Sequence, residues 1–181
     1  MRKALFFAVM ITLVAAVSAQ AAADKFAVFN ANAVAASSEP FTNARKKVEN
    51  QYLPEKQKLE NQSKTLEKQA EDLQKQRAAL SREAFAEKSE AFMRAKRNFE
   101  DAYQAYGRKV EAAFVRIDQE FAGRLFMAVQ DYGMRKNYAT IVDVARGGVF
   151  YHDKSVDVTE DIIKEVARVY KENKPLPGQK K

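Results

Sequence analysis

A histidine set among carboxylates is the first place to look for chemistry in this chain. His152 precedes Asp153, and Asp143 lies a short way upstream. Such a set could serve a hydrolase, with the imidazole as base and a carboxylate to orient it. That chemistry also needs a nucleophile, and no Ser or Cys of recognisable context accompanies His152. The chain has one His and no Cys, so neither a Cys-ligated metal nor a disulfide frame can form. Zinc and His-dependent sites mostly need several converging ligands. No phosphate-cradling glycine loop is present either. The expectation is no catalytic site, no metal and no cofactor.

What remains is non-covalent chemistry, and it begins with charge. Lys and Arg number 31 against 24 Asp and Glu, a formal balance of +7. Between positions 75 and 97 stand seven cations, Lys75, Arg77, Arg82, Lys88, Arg94, Lys96 and Arg97, against Glu83, Glu87 and Glu90. Such a cluster can attract acidic unfolded chains or anionic lipid. The plainer alternative is a solvated helix face. Met93 and Phe126 offer apolar contact to a client, or simply pack.

The first segment is a targeting signal. Arg2 and Lys3 form a basic start, residues 4–17 are apolar apart from Thr12, and small residues follow at Ala19, Ala21 and Ala23. This is the pattern of a cleaved secretory signal over 1–21, with an uncleaved anchor as the alternative. Loss of Arg2 and Lys3 takes the balance from +7 to +5. A soluble, exported, still basic mature chain (22–181) is expected, and export argues against nucleic acid as a partner.

The cluster lies in a stretch that composition assigns to long helix, rich in Lys, Glu, Gln and Ala from Phe41 onwards. Leu59, Leu66, Leu73 and Leu80 fall every seven residues, and so do Phe85, Phe92, Phe99 and Tyr106. This is the period of a coiled-coil seam. Folded back antiparallel, the two rows pair Leu80 with Phe85, Leu73 with Phe92, Leu66 with Phe99 and Leu59 with Tyr106. Ser81 then caps a helix from Arg82, with Leu80 and Phe85 as its hydrophobic staple. The reversal is expected at about 76–79. One unbroken helix in an intermolecular coiled coil is the alternative, since neither Pro nor Gly marks the turn. Pro54 should kink the first arm. The other seam position is poorly filled, by Lys56, Ser63, Ala70 and Arg77. The arms should therefore be ordered yet mobile.

Around the arm (about 53–113), residues 22–52 and 114–174 should build a small base. Residues 25–30 read as a strand, and residues 30–40 as a stretch holding one short helical turn. From Phe114 to Tyr132 a wider apolar face continues the second arm to Lys136. Residues 139–144 and 149–152 read as an antiparallel hairpin across Gly147 and Gly148. Asp157 and Glu160 read as a capping box opening a helix with Ile162, Ile163, Val166, Val169 and Tyr170 on its apolar face. The fold class is mainly α with a small β base (α+β). Three strands and one helix bury little, and their open edges invite self-association.

Several passages together resemble the Skp/OmpH family of periplasmic chaperones: 18–21, 24–30, Phe92 with Phe99, 138–143 and 157–166. The resemblance spans essentially the whole mature chain. It implies a periplasmic homotrimer with a β-barrel-like body and three helical-hairpin tentacles around a cavity. It also implies ATP-independent holding of unfolded outer-membrane β-barrel proteins, and raises lipopolysaccharide as a ligand, to which no residue here is carried over. A coiled-coil envelope spacer, or a tether to lipid or peptidoglycan, is the competing function.

Overall fold

The structure is a computed structural model that describes residues 25–173, 175 and 176. The secretory signal expected over 1–21, with its cleavage positions, lies outside the described residues. Among them, no helix is long and apolar enough to cross a membrane.

The order is β1 (Phe26–Phe29), α1 (Ala31–Ser37), α2 (Glu39–Gln76), α3 (Arg82–Lys136), β2 (Thr140–Asp143), a 3-10 turn (Lys154–Val156) and α4 (Thr159–Glu172). β1 and β2 pair in parallel, with Val28 opposite Val142. Parallel neighbours need a long crossover, and here the entire two-helix arm is that crossover. On its other side β1 accepts a hydrogen bond from Val158 N–H at the Val28 carbonyl, 2.9 Å. β1 is thus the centre of the base, and its Ala27, Val28 and Phe29 are all buried.

The base core gathers Ala27, Phe29 and Val34 from the N-terminal unit, Phe121, Ala128 and Tyr132 from α3, and Ile162, Val166 and Val169 from α4. The three-four spacing of the last trio places them on one face of α4. Local capping fixes the joints. The Asn30 carboxamide accepts from the N–H groups of Asn32 and Ala33 and starts α1. The Asp143 carboxylate accepts from Ala31 N–H and Ala145 N–H, both at 3.0 Å, joining the end of β2 to the start of α1. α3 ends on Asn137 in the left-handed region, φ 55°, a conformation that Asn tolerates.

Two expectations for the base need correction. The chain does turn after Asp143, with Gly148 at φ 64°, but residues 149–152 form no strand and no hairpin. A hairpin strand is stable only when one face is buried. Here β2 pairs with β1, and none of the described residues covers the aromatics beyond the turn, so Phe150 and Tyr151 stand 102% and 83% exposed. The second correction concerns α4. Its cap position is Val158, without a side-chain cap bond. Asp157 instead accepts from the N–H and hydroxyl of Thr159, at 2.9 and 2.6 Å. The Thr159 hydroxyl in turn accepts Asn30 N–H at 3.0 Å, which ties α4 to the end of β1.

Candidate functional site

The arm is built from α2 and the first two-thirds of α3. At ~1.5 Å per residue, a helix the length of α3, 55 residues, extends about 80 Å. The chain reverses at 77–80, where the N–H groups of Ala79 and Leu80 both reach the Gln76 carbonyl, at 3.0 and 3.1 Å. Ser81 caps α3 by accepting from Ala84 N–H at 3.2 Å. The two helices are thus antiparallel within one chain. α2 continues through Pro54 as helix.

Polar cross-links mark the register along the arm. Arg45 meets Asp118 at 2.6 Å near its root, Lys109 meets Glu55 at 3.0 Å midway, and Lys88 donates to Gln76 at 2.6 Å near the tip. The guanidinium of Arg45 also lies over the rings of Phe41 and Phe114, 5.6 and 4.6 Å from their centroids. Cation–π contact of this kind strengthens as the cation loses water, so Arg45 holds both helices where the arm leaves the base.

The seam is thin. Leu59 is 6% exposed, and it is the one buried side chain described between Glu39 and Glu120. Leu66, Leu73, Leu80, Phe85, Phe92, Phe99 and Tyr106 are half-buried. The structure brings Leu66 to the same cleft as Phe99, and Leu73 to the same cleft as Phe92. Tyr106 packs edge-on against Tyr52, with centroids 6.3 Å apart. Leu80 and Phe85 flank the tip, and Arg77 lies over the Phe85 ring at 5.8 Å.

The basic side chains are spread around the distal arm and do not converge on one point. Lys75, Arg77, Arg82, Lys88, Arg94, Lys96 and Arg97 are all exposed. Three of them face a carboxylate one turn away: Lys75 with Glu71 at 3.7 Å, Arg94 with Glu90 at 3.2 Å and Lys96 with Glu100 at 3.8 Å. Exposed pairs of this type contribute only ~0.3–0.5 kcal/mol, so they hold these side chains weakly. Met93, 47% exposed, belongs to this region. Phe126, 55% exposed, lies in the base portion of α3 and lines a groove of about 430 Å3 with Phe29, Phe41 and Phe121.

In the histidine set, the hydrogen bonds described for Asp143, His152 and Asp153 run to backbone groups. Asp143 is bonded to backbone N–H groups as above. Asp153 caps the 3-10 turn through Ser155 N–H at 2.8 Å, and hydrogen bonds from Ser155 hold its carboxyl below the ordinary range. His152 Nδ1 lies 3.3 Å from the Asp153 carbonyl. No cluster of three or more potential metal ligands occurs among the described residues.

Residues 25–166 match the family described as "Outer membrane protein (OmpH-like)". The chain belongs to the OmpH-like family. Among solved structures, this OmpH-like chain is similar to a candidate outer membrane chaperone (OmpH-like) from Caulobacter crescentus. The two share 16% identity over 80% of this chain and 85% of that one, with a TM-score of 0.61. At that identity the likeness is one of fold. No curated protein gives a significant match. For an OmpH-like chain, sequence reasoning overlooked two features. One is the exposed aromatic pair Phe150 and Tyr151. The other is a carboxamide row, Gln62, Gln69 and Gln76, whose seven-residue spacing was open to view beside the leucine row.

Proposed function

We propose that the mature protein is an ATP-independent periplasmic holdase. It binds unfolded outer-membrane β-barrel proteins in a space between helical arms and prevents their aggregation before membrane insertion. Three copies joined through their bases form the working unit, and the distal cations draw acidic or anionic guests, including anionic lipid. Family membership and the fold of the Caulobacter relative support a chaperone role.

The observation that carries the reading is the contrast between base and arm. The base encloses Val28, Val34, Ile162, Val166 and Val169 almost completely, whereas the arm between Glu39 and Glu120 buries Leu59 alone. A long, ordered, weakly packed two-helix arm can splay and adapt at little cost. Its half-buried Leu and Phe row supplies apolar contact, and its cations supply long-range attraction. A bare base is also incomplete: Phe150 and Tyr151 project into solvent, and a second and third copy would cover them. A spacer or tether would be served better by an uninterrupted rod, and this chain turns back on itself at 77–80.

The test is direct. A urea-unfolded outer-membrane porin is diluted into buffer with the mature protein, and light scattering is followed. Suppressed scattering at one trimer per porin is the expected result. Unchanged aggregation at that ratio removes the holdase reading, and a rod-like particle in small-angle scattering favours the spacer.

A further inference from the structure

We propose that one flank of the arm is a groove that binds extended segments of unfolded polypeptide through their backbones. The proposal rests on the holdase reading and gives it a site. Two open clefts, of about 700 and 330 Å3, share Gln69 and Ala95 and so run into one another. Together they follow α2 from Pro54 to Gln76, a length of about 33 Å at ~1.5 Å per residue. An extended segment of about ten residues, at ~3.3 Å each, has the same length.

The floor is apolar and incompletely covered. Leu66, Leu73, Phe92 and Phe99 lie along it, all half-buried. Ala91 and Ala95 face them from α3 with methyl groups alone, which leaves this flank of the seam open. The rim is amide. Gln62, Gln69 and Gln76 recur every seven residues beside the leucine row, and Asn61 and Asn98 add to it.

Each carboxamide carries both donors and an acceptor, and at Gln76 the oxygen already accepts from Lys88 at 2.6 Å. An unpaired extended backbone carries both kinds of group along its length and needs both satisfied when it leaves water. A helix from a second copy has met that need internally, and an acyl chain has no such groups, so the amide row matches neither. Side chains alternating along the segment would place every second one on the apolar floor. Strands of outer-membrane barrels have that alternation. The charges on the rim, Lys58, Lys88 and Asp72, are few and of both signs. Binding here therefore differs from capture by the distal cations in being insensitive to salt.

The experiment uses the mature protein carrying a photoreactive benzophenone side chain at Gln62 or Gln69, with Glu67 and Gln74, which do not line the groove, as controls. The probe is urea-unfolded porin, diluted before irradiation. Cross-linking should be strong at 62 and 69, weak at 67 and 74, and retained at about 0.5 M salt, where the Debye length is only a few ångströms. Equal yields at all four positions, or arm-to-arm products in place of porin adducts, overturn the groove. In parallel, Q62A/Q69A should weaken porin affinity about tenfold, the effect of two lost neutral hydrogen bonds, with helix content and particle mass unchanged. Parental affinity in that variant overturns the groove and leaves the holdase reading intact. A parent protein that cannot hold porin at all removes both.

Discussion

Leu59→Ala separates the stability of the arm from that of the base. Leu59 is 6% exposed and is the only described side chain buried between Glu39 and Glu120. Truncating a buried leucine costs ~2–5 kcal/mol, with the larger values where the cavity cannot relax. Two solvated helices can close in on the gap, so ~2–3 kcal/mol applies here. Alanine is at least as good a helix former as leucine, which confines the loss to contact between α2 and α3. Opening of the arm should then become about 30- to 140-fold more frequent, at ~1.4 kcal/mol per factor of ten. Native-state hydrogen exchange reads this opening segment by segment. Amides flanking position 59 and those opposite it on α3 should accelerate by that factor, while β1 and α4 keep parental rates. Ile162→Ala, at a site with no exposure in the base, should show the reverse pattern. Unchanged arm exchange in Leu59→Ala, or equal acceleration of β1 and α4, would refute the claim that the arm is an independent, thinly held unit.

Three further outcomes follow from the same structure. Replacing Arg94, Lys96 and Arg97 together by Gln should slow porin capture at low salt in stopped-flow measurements. The difference should vanish as the Debye length falls below about 8 Å, and equal low-salt rates would exclude the cluster from capture. If three copies join through their bases as proposed, replacing Phe150 and Tyr151 together by Ser should lower the particle mass measured by light scattering towards that of a single chain while leaving helical circular dichroism intact. Stability should fall with alkaline pH. Burial, aided by its hydrogen bond to Asp161 at 2.6 Å, raises the Tyr132 phenol, and burial with the charge of Glu120 pushes Tyr170 up to about 12. Above pH ~10 the unfolded chain loses these protons first, so the folded state is progressively disfavoured. Tyr132→Phe and Tyr170→Phe should each flatten that decline in denaturant titrations at pH 9 to 12.

The arm was legible because its signals are local. The heptad rows, the Ser81 cap and the long run without Gly or Pro between Pro54 and Gly107 all act within a few residues of where they are read. The strands at 26–29 and 140–143 and the last helix were legible for the same reason. The pairing of the strands was not. Proximity in sequence favoured β2 folding onto residues 149–152, yet its partner is β1, joined across the whole arm. β-propensity reports fit to a half-buried pleated surface, and the described residues offer 149–152 no such surface. Of the candidate site, the cations were visible but their pairing was not. Whether Arg94 turns to Glu90, or Lys96 to Glu100, depends on side-chain geometry that helical spacing allows without requiring. The glutamine row was hidden by its residue type, since Gln in a Lys- and Glu-rich helix reads as one more good helix former.

The grading of contacts from root to tip bears on how such a protein could work without nucleotide. At the root, Arg45 joins a 2.6 Å ion pair to two aromatic rings, and Phe41 packs on Phe121 with centroids 4.4 Å apart. Midway there are Leu59, the Tyr52–Tyr106 contact and the Lys109–Glu55 pair. Towards the tip the apolar side chains are half-buried, and the polar contacts described are the Lys88–Gln76 hydrogen bond and Arg77 over the Phe85 ring. Opening therefore costs least at the tip and rises towards the base, so the arm yields by degrees and not all at once. On the holdase reading, a guest entering between the arms displaces only contacts of low individual worth, ~1 kcal/mol or less for each exposed pair, and recovers them on leaving. Capture and release then need no energy input beyond the competition between weak arm contacts and whatever the guest meets next. The tightly packed α4 and β1 keep the root in place throughout, so that adaptation of the arm does not unfold the protein that carries it.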